Sequence, residues 1–206
     1  RDRDAWLQEI QHRPDPQPRP NAEQLSFLTA LVERLKIEIV EECTTSKQKS
    51  EQEPMLDLLH GLPGTGKSQV IKWIRECFET IGWTHGVQFV CLAFQNALAA
   101  HIDGLTIHHW SGIPAGQEDG TAGTQKKQAL AIRCQCLRFI LIDEISMVSA
   151  ELLAALEKVV RDVVRIRGTY KLRQDGSHRV FGGVNVLFFG DWWQLRPVGG
   201  TALFSH

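Results

Sequence analysis

Nine consecutive residues restrict the fold of this chain more than any other feature. Residues 60–68 read HGLPGTGKS, and from Gly61 to Ser68 they match the pattern G-x-x-x-x-G-K-[ST]. A short apolar run at residues 55–59 precedes the motif, and residues 68–81 carry apolar side chains at helical spacing after it. We therefore predict a buried strand, a glycine loop and a helix in succession, which is the context that this motif requires.

The glycines of this loop point to phosphate chemistry. They let the backbone approach an anion so that N–H groups and the helix N-terminus face its oxygens. We expect Lys67 to reach the β- and γ-phosphates of a nucleotide and the Ser68 hydroxyl to ligate Mg²⁺. A glycine-rich turn that happens to precede a lysine is the alternative, and the flanking elements argue against it. The predicted nucleotide-binding residues of the loop are Gly61, Gly64, Thr65, Gly66, Lys67 and Ser68.

Composition excludes several classes of protein. Of the 206 residues, 43% are hydrophobic and 23% are charged, which is typical of soluble globular proteins. The chain has no run of ~20 apolar residues and no signal-peptide pattern, so we predict an intracellular protein without a membrane partner. The five cysteines form no C-x-x-C pair, which argues against a disulfide framework or a zinc site. The net charge of −1 indicates no global attraction to nucleic acid.

The N-terminal residues differ in character from the rest. Residues 1–20 begin with a short amphipathic piece and continue into a segment in which every second residue from Pro14 to Pro20 is proline. This density favours an extended structure, so we predict a proline-rich linker at residues 1–20 and one domain at residues 21–206. Because the first residue is not Met, we also expect the chain to be a fragment of a longer polypeptide.

Strands and helices alternate along the predicted domain. The predicted helices are residues 21–40, 68–81, 96–101, 124–136 and 149–166. The predicted strands are residues 55–59, 87–93, 139–144 and 184–189. This alternation indicates an α/β fold with a doubly wound parallel sheet, in which ligands bind beyond the carboxyl ends of the strands.

Three of these strand ends carry residues that a nucleotide hydrolase needs. The phosphate loop follows the first, and Asp143 and Glu144 end the third. We expect Asp143 to hold Mg²⁺ and Glu144 to polarise the attacking water. After the fourth strand, Gln194 is placed to hydrogen-bond the γ-phosphate, so Lys67, Glu144 and Gln194 are the predicted catalytic residues. The alternatives are an acidic pair favoured by a helix dipole and, for Gln194, a solvated loop residue.

Three segments together resemble a known family: residues 61–68, residues 141–148 (LIDEISMV) and residues 181–198, which run from FGGV to GDWWQLRPV. They are similar to the first motor domain of the petite-integration-frequency helicases, which are RecD-like, superfamily-one DNA helicases that move 5′ to 3′. The resemblance extends from about residue 21 to residue 198. It implies a RecA-like domain of an ATP-dependent DNA helicase that acts in the nucleus in DNA repair, recombination, telomere maintenance or transposition.

The resemblance also assigns residues outside the loop. Gln24 matches the glutamine with which the family reads adenine. Residues 93–108 match the first DNA-contacting motif, whose usual form is A-P-T-G-x-A-A followed by T-I-H-S, although Phe94-Gln95-Asn96 replaces P-T-G and His109 replaces the serine. The variants at Gln95 and His108-His109 are similar to the helicase portion of Helitron-type rolling-circle transposons. In addition, Arg196 replaces a proline of the usual Q-L-P-P-V.

The family places single-stranded DNA across the top of this domain, where polar groups meet phosphates and aromatic rings meet bases. The predicted DNA contacts are Gln95, His108, Trp110 and one of Trp192 and Trp193. The alternatives are that His108 hydrogen-bonds within the fold and that a tryptophan of the adjacent pair belongs to the core.

A second motor domain, which supplies an arginine finger in this family, should follow Val198. Without such a group an NTPase loses about 10³ to 10⁵ in rate, so we expect this chain to bind ATP and Mg²⁺ weakly, to hydrolyse ATP poorly and not to unwind DNA. Two other classes stay open. Another P-loop ATPase or kinase would share Lys67 and Asp143 but would not need Gln24, and a decayed transposon-derived remnant would only bind.

Overall fold

The central element is a parallel sheet. The computed structural model describes residues 2–43, 52–116, 124–164, 172–193, 196–197 and 200–203. Within these residues the sheet has five strands in the order β1-β5-β4-β2-β3. The strands are β1 (Leu56–His60), β2 (Phe89–Ala93), β3 (Leu105–Thr106), β4 (Phe139–Asp143) and β5 (Asn185–Gly190). The insertion of β5 between β1 and β4 places residues 190–193 beside the loop that follows β1.

Helices connect these strands. They are α1 (Arg3–Gln11), α2 (Ala22–Cys43), α3 (Lys67–Thr80), α4 (Asn96–His101), α5 (Ile107–Ser111), α6 (Thr124–Arg133) and α7 (Ala150–Val163). Short 3₁₀ turns occur at Cys134–Cys136, Ile145–Met147 and Val180–Gly183. No helix of the described part of the chain is both long enough and apolar enough to span a membrane.

The sheet is covered on both faces. Strands β2 and β4 are buried at every position, as expected for parallel strands that lie between two layers of helices. One core cluster packs side chains of α1 to α4 against one face, and the other packs side chains of α5, α6 and α7 against the opposite face. This arrangement confirms the predicted doubly wound parallel α/β sheet.

Local sequence explains the ends of the helices beside the sheet. Helix α7 begins after Ser149, whose hydroxyl accepts a hydrogen bond from the backbone N–H of Leu152 at 3.1 Å. Helix α2 begins after Asn21, as predicted, because the Asn21 carboxamide oxygen accepts from the N–H of Gln24 at 2.8 Å and the Gln24 side chain accepts from the N–H of Asn21 at 3.0 Å. This reciprocal pair fixes the position of Gln24.

The predicted N-terminal linker is wrong for residues 3–11. These residues form α1, and its Trp6 and Ile10 are buried in the same core cluster as side chains of α2 and α3. Trp6 Nε1 also donates to Glu76 Oε1 at 3.2 Å. The two apolar residues are four positions apart and share one helix face, and the prolines begin only beyond the end of this helix. Burial of that face therefore outweighs the composition of residues 1–20 as a whole.

The burial predicted for the first strand is wrong, because β1 lies at the edge of the described sheet and is mostly exposed. Strand β3 and helix α5 were not predicted, because elements of two and five residues carry little periodicity. Strands β1 and β5 each begin one residue later than predicted, at Leu56 and Asn185. Helix α7 ends at Val163, three residues earlier than predicted.

Candidate nucleotide-binding site

The loop between β1 and α3 requires glycine for reasons visible in its backbone. Gly64 and Gly66 have φ angles of 78° and 89°, in the left-handed region that favours glycine. A Cβ atom at Gly61 would lie 2.6 Å from Thr65 Oγ1, which is closer than real Cβ contacts. Helix α3 begins at Lys67, so its N-terminal N–H groups face the loop. The loop thus has the backbone of an anion site.

Lys67 lies over this loop. Its Nζ donates to the carbonyl oxygens of Gly61 at 2.6 Å and Leu62 at 3.2 Å, and the residue is buried. Ser68 follows in the first turn of α3 and is half-buried. Both side chains that the motif assigns to phosphate and metal binding are therefore at the loop.

Two carboxylates stand at the end of β4. Burial raises the pKa of Asp143 above its ordinary value, while a hydrogen bond from the Glu144 N–H to Asp143 Oδ1 at 3.0 Å and the Lys67 ammonium act in the opposite direction. Burial also raises the pKa of Glu144, and the neighbouring carboxylates of Asp143 and Asp191 raise it further against the effect of Lys67. The site concentrates negative charge that a cation would stabilise.

The backbone at Glu144 is in a conformation that most residues avoid. Its φ and ψ angles are 49° and 52°, and its carbonyl oxygen accepts from the Met147 N–H at 3.0 Å. A Cβ atom at Gly190 would lie 2.9 Å from Ile145 Cγ2, so the end of β5 passes close to the turn that follows Glu144. Strained residues of this kind concentrate at functional sites.

Gln24 reaches the loop from α2. Its Nε2 donates to the carbonyl oxygen of Thr65 at 3.1 Å, and a Cβ atom at Gly66 would lie 2.9 Å from that same nitrogen. Residues 24 and 65 are 41 positions apart in the chain, so this contact is purely tertiary. Gln24, Lys67, Asp143 and Glu144 are brought to the same region.

The segment after β5 completes one side of the site. Asp191 is buried, and its Oδ1 accepts from the Trp193 N–H at 3.0 Å. Trp192 is half-buried against the core cluster, whereas Trp193 is 84% exposed. The predicted catalytic residue Gln194 lies outside the described residues, so its role stays a prediction.

His60 and Asp191 are two residues of this site to which the sequence analysis assigned no role. His60 Nε2 lies 3.4 Å from the backbone nitrogen of Trp192 and 3.7 Å from Asp191 Oδ1. The only signal in the sequence was position, because His60 directly precedes the glycine motif and Asp191 stands two residues after the end of the fourth predicted strand.

The structure places the predicted DNA contacts in different environments. Gln95 is exposed at the start of α4, and His108 is half-buried with its ring edge-on to Phe94 at 5.9 Å. Both follow strand ends on the same side of the sheet as the loop. The prediction for Trp110 is wrong, because it is 4% exposed and belongs to the core between α5, α6 and α7. Of the two adjacent tryptophans, Trp193 exposes its indole ring to solvent, whereas Trp192 is half-buried.

A family model, named relatives and solved structures all match this chain, and they agree on one family. The model of the PIF1-like helicase family matches residues 36–203. ATP-dependent DNA helicase PIF1 from Saccharomyces cerevisiae (strain YJM789) is 33% identical over 142 residues, which cover 67% of this chain and 15% of that protein. The crystal structure of Pif1 helicase from Candida albicans matches with a TM-score of 0.57 at 23% identity, over 89% of this chain and 35% of that chain.

A second solved structure, Pif1 helicase from Bacteroides in complex with ADP-AlF3 and ssDNA, matches with a TM-score of 0.51 at 26% identity, over 81% of this chain and 33% of that chain. The present chain thus spans 15% of the yeast relative's length and about a third of each structural neighbour. The fold is the RecA-like α/β fold that the motifs implied. Since the family model matches residues 36–203, more than half of the sequence, the chain belongs to the PIF1-like helicase family.

Proposed function

We propose that this chain forms the ATP-binding motor domain of an ATP-dependent DNA helicase. The observation that carries the proposal is the meeting of Gln24, Lys67 and the Asp143–Glu144 pair at one glycine loop. The name of the yeast relative and the ADP-AlF3 and ssDNA of the Bacteroides complex support the same chemistry. A full helicase activity belongs to a longer polypeptide that also supplies a second motor domain with an arginine finger.

The oxygen ligands at the loop fit Mg²⁺. The described residues contain no cluster of three or more His, Cys, Asp or Glu side chains able to hold a metal. The candidates are the Ser68 hydroxyl and the Asp143 carboxylate, which are hard donors of the kind Mg²⁺ uses alongside substrate phosphates. Bound Mg²⁺ would neutralise phosphate charge, and the burial that raises the pKa of Asp143 favours such a cation beside it.

Different groups of the protein have different roles in the proposed hydrolysis. The loop N–H groups and α3 N-terminus bind phosphate oxygens, and Lys67 exchanges its bonds to the Gly61 and Leu62 carbonyls for bonds to phosphate. Glu144 orients the attacking water and accepts its proton. Its raised pKa brings its basicity nearer to neutral pH, which favours a general base. Gln194 is proposed to contact the γ-phosphate, and Gln24 the adenine.

Single-stranded DNA is the proposed partner at the carboxyl edge of the sheet. Gln95 and His108 are the polar candidates for phosphate contacts, and the exposed Trp193 is the candidate for stacking. Stacking of one base on an aromatic side chain contributes about 1–3 kcal/mol. Action on DNA also supports a nuclear location and a role in repair, recombination, telomere maintenance or transposition. A tagged full-length protein excluded from the nucleus would contradict that location.

Nucleotide binding can be tested on the chain itself. We predict that Lys67→Ala weakens ATP–Mg²⁺ binding by about tenfold or more, because it removes charge-assisted hydrogen bonds worth roughly 1.5–3 kcal/mol. Isothermal titration calorimetry and the ATP-dependent thermal shift would measure this loss. The matched control is Lys72→Ala, since Lys72 is an exposed lysine on the same helix, α3. Equal weakening by both variants would contradict the assignment of Lys67.

The helicase class is tested separately. A DNA-stimulated ATPase activity in the full-length protein, lost in Lys67→Ala, distinguishes a helicase from another P-loop ATPase or kinase. Wild-type chain that shows no ATP–Mg²⁺-dependent thermal shift would favour the transposon-derived remnant. Strand unwinding by the isolated 206-residue chain would contradict the need for a second motor domain.

A further inference from the structure

Two polar contacts connect the last residue of β1 to the tryptophan-bearing segment after β5. His60 Nε2 lies 3.4 Å from the Trp192 backbone nitrogen, which donates to it, and 3.7 Å from Asp191 Oδ1. One residue further on, the Gly61 N–H donates to the Gly190 carbonyl oxygen at 3.2 Å. The start of the phosphate loop and the start of residues 191–193 are therefore joined side by side.

The turn at residues 191–193 is held from two directions. On its buried side, Asp191 Oδ1 accepts from the Trp193 N–H at 3.0 Å. On its outer side the imidazole of His60 receives the Trp192 N–H. Trp192 packs partly against the core, so the exposed indole of Trp193 is the part of the turn that is free to change direction.

The phosphate loop acts on the next peptide group along the chain. Lys67 Nζ donates to the Gly61 carbonyl oxygen at 2.6 Å, and Gly61 directly follows His60. When Lys67 binds a phosphate, this carbonyl loses a strong donor and the backbone next to His60 is released. A change at the nucleotide then has a short covalent and hydrogen-bonded route to Trp192.

We propose that His60 is a positioning residue that couples phosphate binding in the loop to the orientation of Trp193, and hence to single-stranded DNA. The inference rests on the proposed function. Coupling between two sites is reciprocal, so DNA that selects one orientation of Trp193 must tighten nucleotide binding by the same factor by which nucleotide tightens DNA binding. The imidazole acts through hydrogen bonding to the turn and does not contact either ligand.

The coupling is measured as a ratio of dissociation constants. The probes are mant-ADP with Mg²⁺ and a twelve-nucleotide oligo(dT), and the ratio compares the mant-ADP dissociation constant without and with the oligonucleotide. We expect a ratio of roughly fivefold or more for the wild-type chain, within the range usual for coupled sites. His60→Ala should bring it close to one. His60→Gln, whose amide can still accept the Trp192 N–H, should retain most of it.

A second measurement follows Trp193 directly. Acrylamide quenching of wild-type chain and Trp193→Phe, taken as a difference, isolates the fluorescence of Trp193. Unlabelled ADP with Mg²⁺ should change the acrylamide quenching of Trp193 in wild-type protein and in His60→Gln, but not in His60→Ala. His12→Ala is the matched control, because it removes an exposed histidine at the end of α1 and should leave both readouts as in wild type.

The outcomes separate the two proposals. Wild-type chain that does not bind mant-ADP would refute the proposed function. Wild-type chain that binds mant-ADP with a ratio of one, or a folded His60→Ala variant with the wild-type ratio, would overturn the role of His60 and leave nucleotide binding intact. If His60→Ala does not fold, His60→Leu replaces it, since leucine fills similar space without a nitrogen, and an unchanged ratio in that variant again overturns the proposal.

Discussion

At the scale of single residues, the proposed catalytic residue Glu144 combines a strained backbone with a raised pKa. Glu144 has a left-handed backbone, and its pKa is raised by burial and further by the Asp143 and Asp191 carboxylates. Both features cost folding free energy, and both prepare a carboxylate to act on water. Neither feature is visible in the letters D-E, which are equally compatible with an acidic helix start.

Replacing Glu144 tests the backbone strain. We predict that the free energy of unfolding of Glu144→Gly exceeds that of Glu144→Ala by about 1 kcal/mol, because both variants lack the carboxylate but only alanine keeps the steric cost of a positive φ. Urea unfolding of the two variants would measure the difference. Equal stability, or a more stable alanine variant, would show that residue 144 is not strained in solution.

His85 makes folding sensitive to pH. Its Nε2 accepts the Cys91 N–H at 3.1 Å beside strand β2, which requires the neutral ring at that nitrogen. Burial lowers the pKa of His85, with a smaller contribution from Arg75 and an opposing one from Asp103. The unfolded chain therefore binds a proton more readily than the folded one. The stability that His85 contributes is present above its unfolded pKa of about 6.5 and is lost as pH falls through the lower folded value.

The expected result concerns a difference between variants. Between pH 8 and pH 5, the urea midpoint of wild-type chain should fall relative to that of His85→Gln, in which an amide oxygen can accept the same N–H without titrating. Comparison of the two proteins removes the contributions of Asp143 and Glu144, which they share. Parallel pH profiles would contradict a role for His85 ionisation.

At the scale of elements, a buried polar network fastens α2 to the amino end of the sheet. Glu38 is fully buried, and its Oε1 accepts from Arg34 Nη2 at 2.6 Å and from Asn185 Nδ2 at 2.7 Å. Arg138 Nη1 lies 3.5 Å from Glu38 Oε2. Asn185 also accepts the Met55 N–H at 2.8 Å, so one network joins α2 to the starts of β1, β4 and β5.

Removal of the central carboxylate should be costly. We predict that Glu38→Ala lowers the free energy of unfolding by roughly 3–5 kcal/mol, because it takes the shared negative partner from two buried guanidinium groups. The matched control is Glu33→Ala, which breaks the exposed pair between Glu33 and Lys36 on the same helix and should cost far less, because solvent screens such a pair. Similar losses from both substitutions would refute the prediction that the buried Glu38 carboxylate stabilises the fold more than the exposed Glu33 carboxylate.

Strand β1 presents an apolar edge. Among the described strands it pairs only with β5, and its Leu56 and Leu58 are 42% and 41% exposed on the same face. An exposed strand edge with alternating leucines is a template for pairing with another chain. We predict concentration-dependent self-association that Leu58→Lys reduces, as measured by sedimentation velocity. Wild-type chain that stays monomeric at high concentration would contradict this prediction.

At the scale of the whole molecule, the sheet order assembles the site from distant stretches. Residues near positions 24, 60–68, 143–144 and 190–193 meet because β5 lies between β1 and β4. Helices pack on both faces of the sheet, and the loops that follow β1, β2 and β5 keep exposed residues at its carboxyl end. The motor domain proposed above needs this arrangement, since it must hold nucleotide and transmit its presence to a second ligand.

Much of this architecture could be predicted from the residues. The strand, loop and helix around Lys67 were located within one residue, and the alternating apolar runs indicated the parallel sheet. The strand order could not be predicted, since periodicity reports the environment of a strand but not its neighbours. Trp110 was placed on the DNA side by the resemblance alone, and its burial in α5 could not be predicted from a segment for which no helix was predicted.

The amino-acid order alone settles the features with local causes. Glycines permit the backbone of the loop, the apolar runs of β2 and β4 become buried strands, and a lysine at the helix start follows from the motif at residues 61–68. Contacts between distant residues depended on the folded sheet. His60 meets Trp192 across 132 positions and Glu38 meets Asn185 across 147, and both contacts form because β5 pairs beside β1 in the folded sheet.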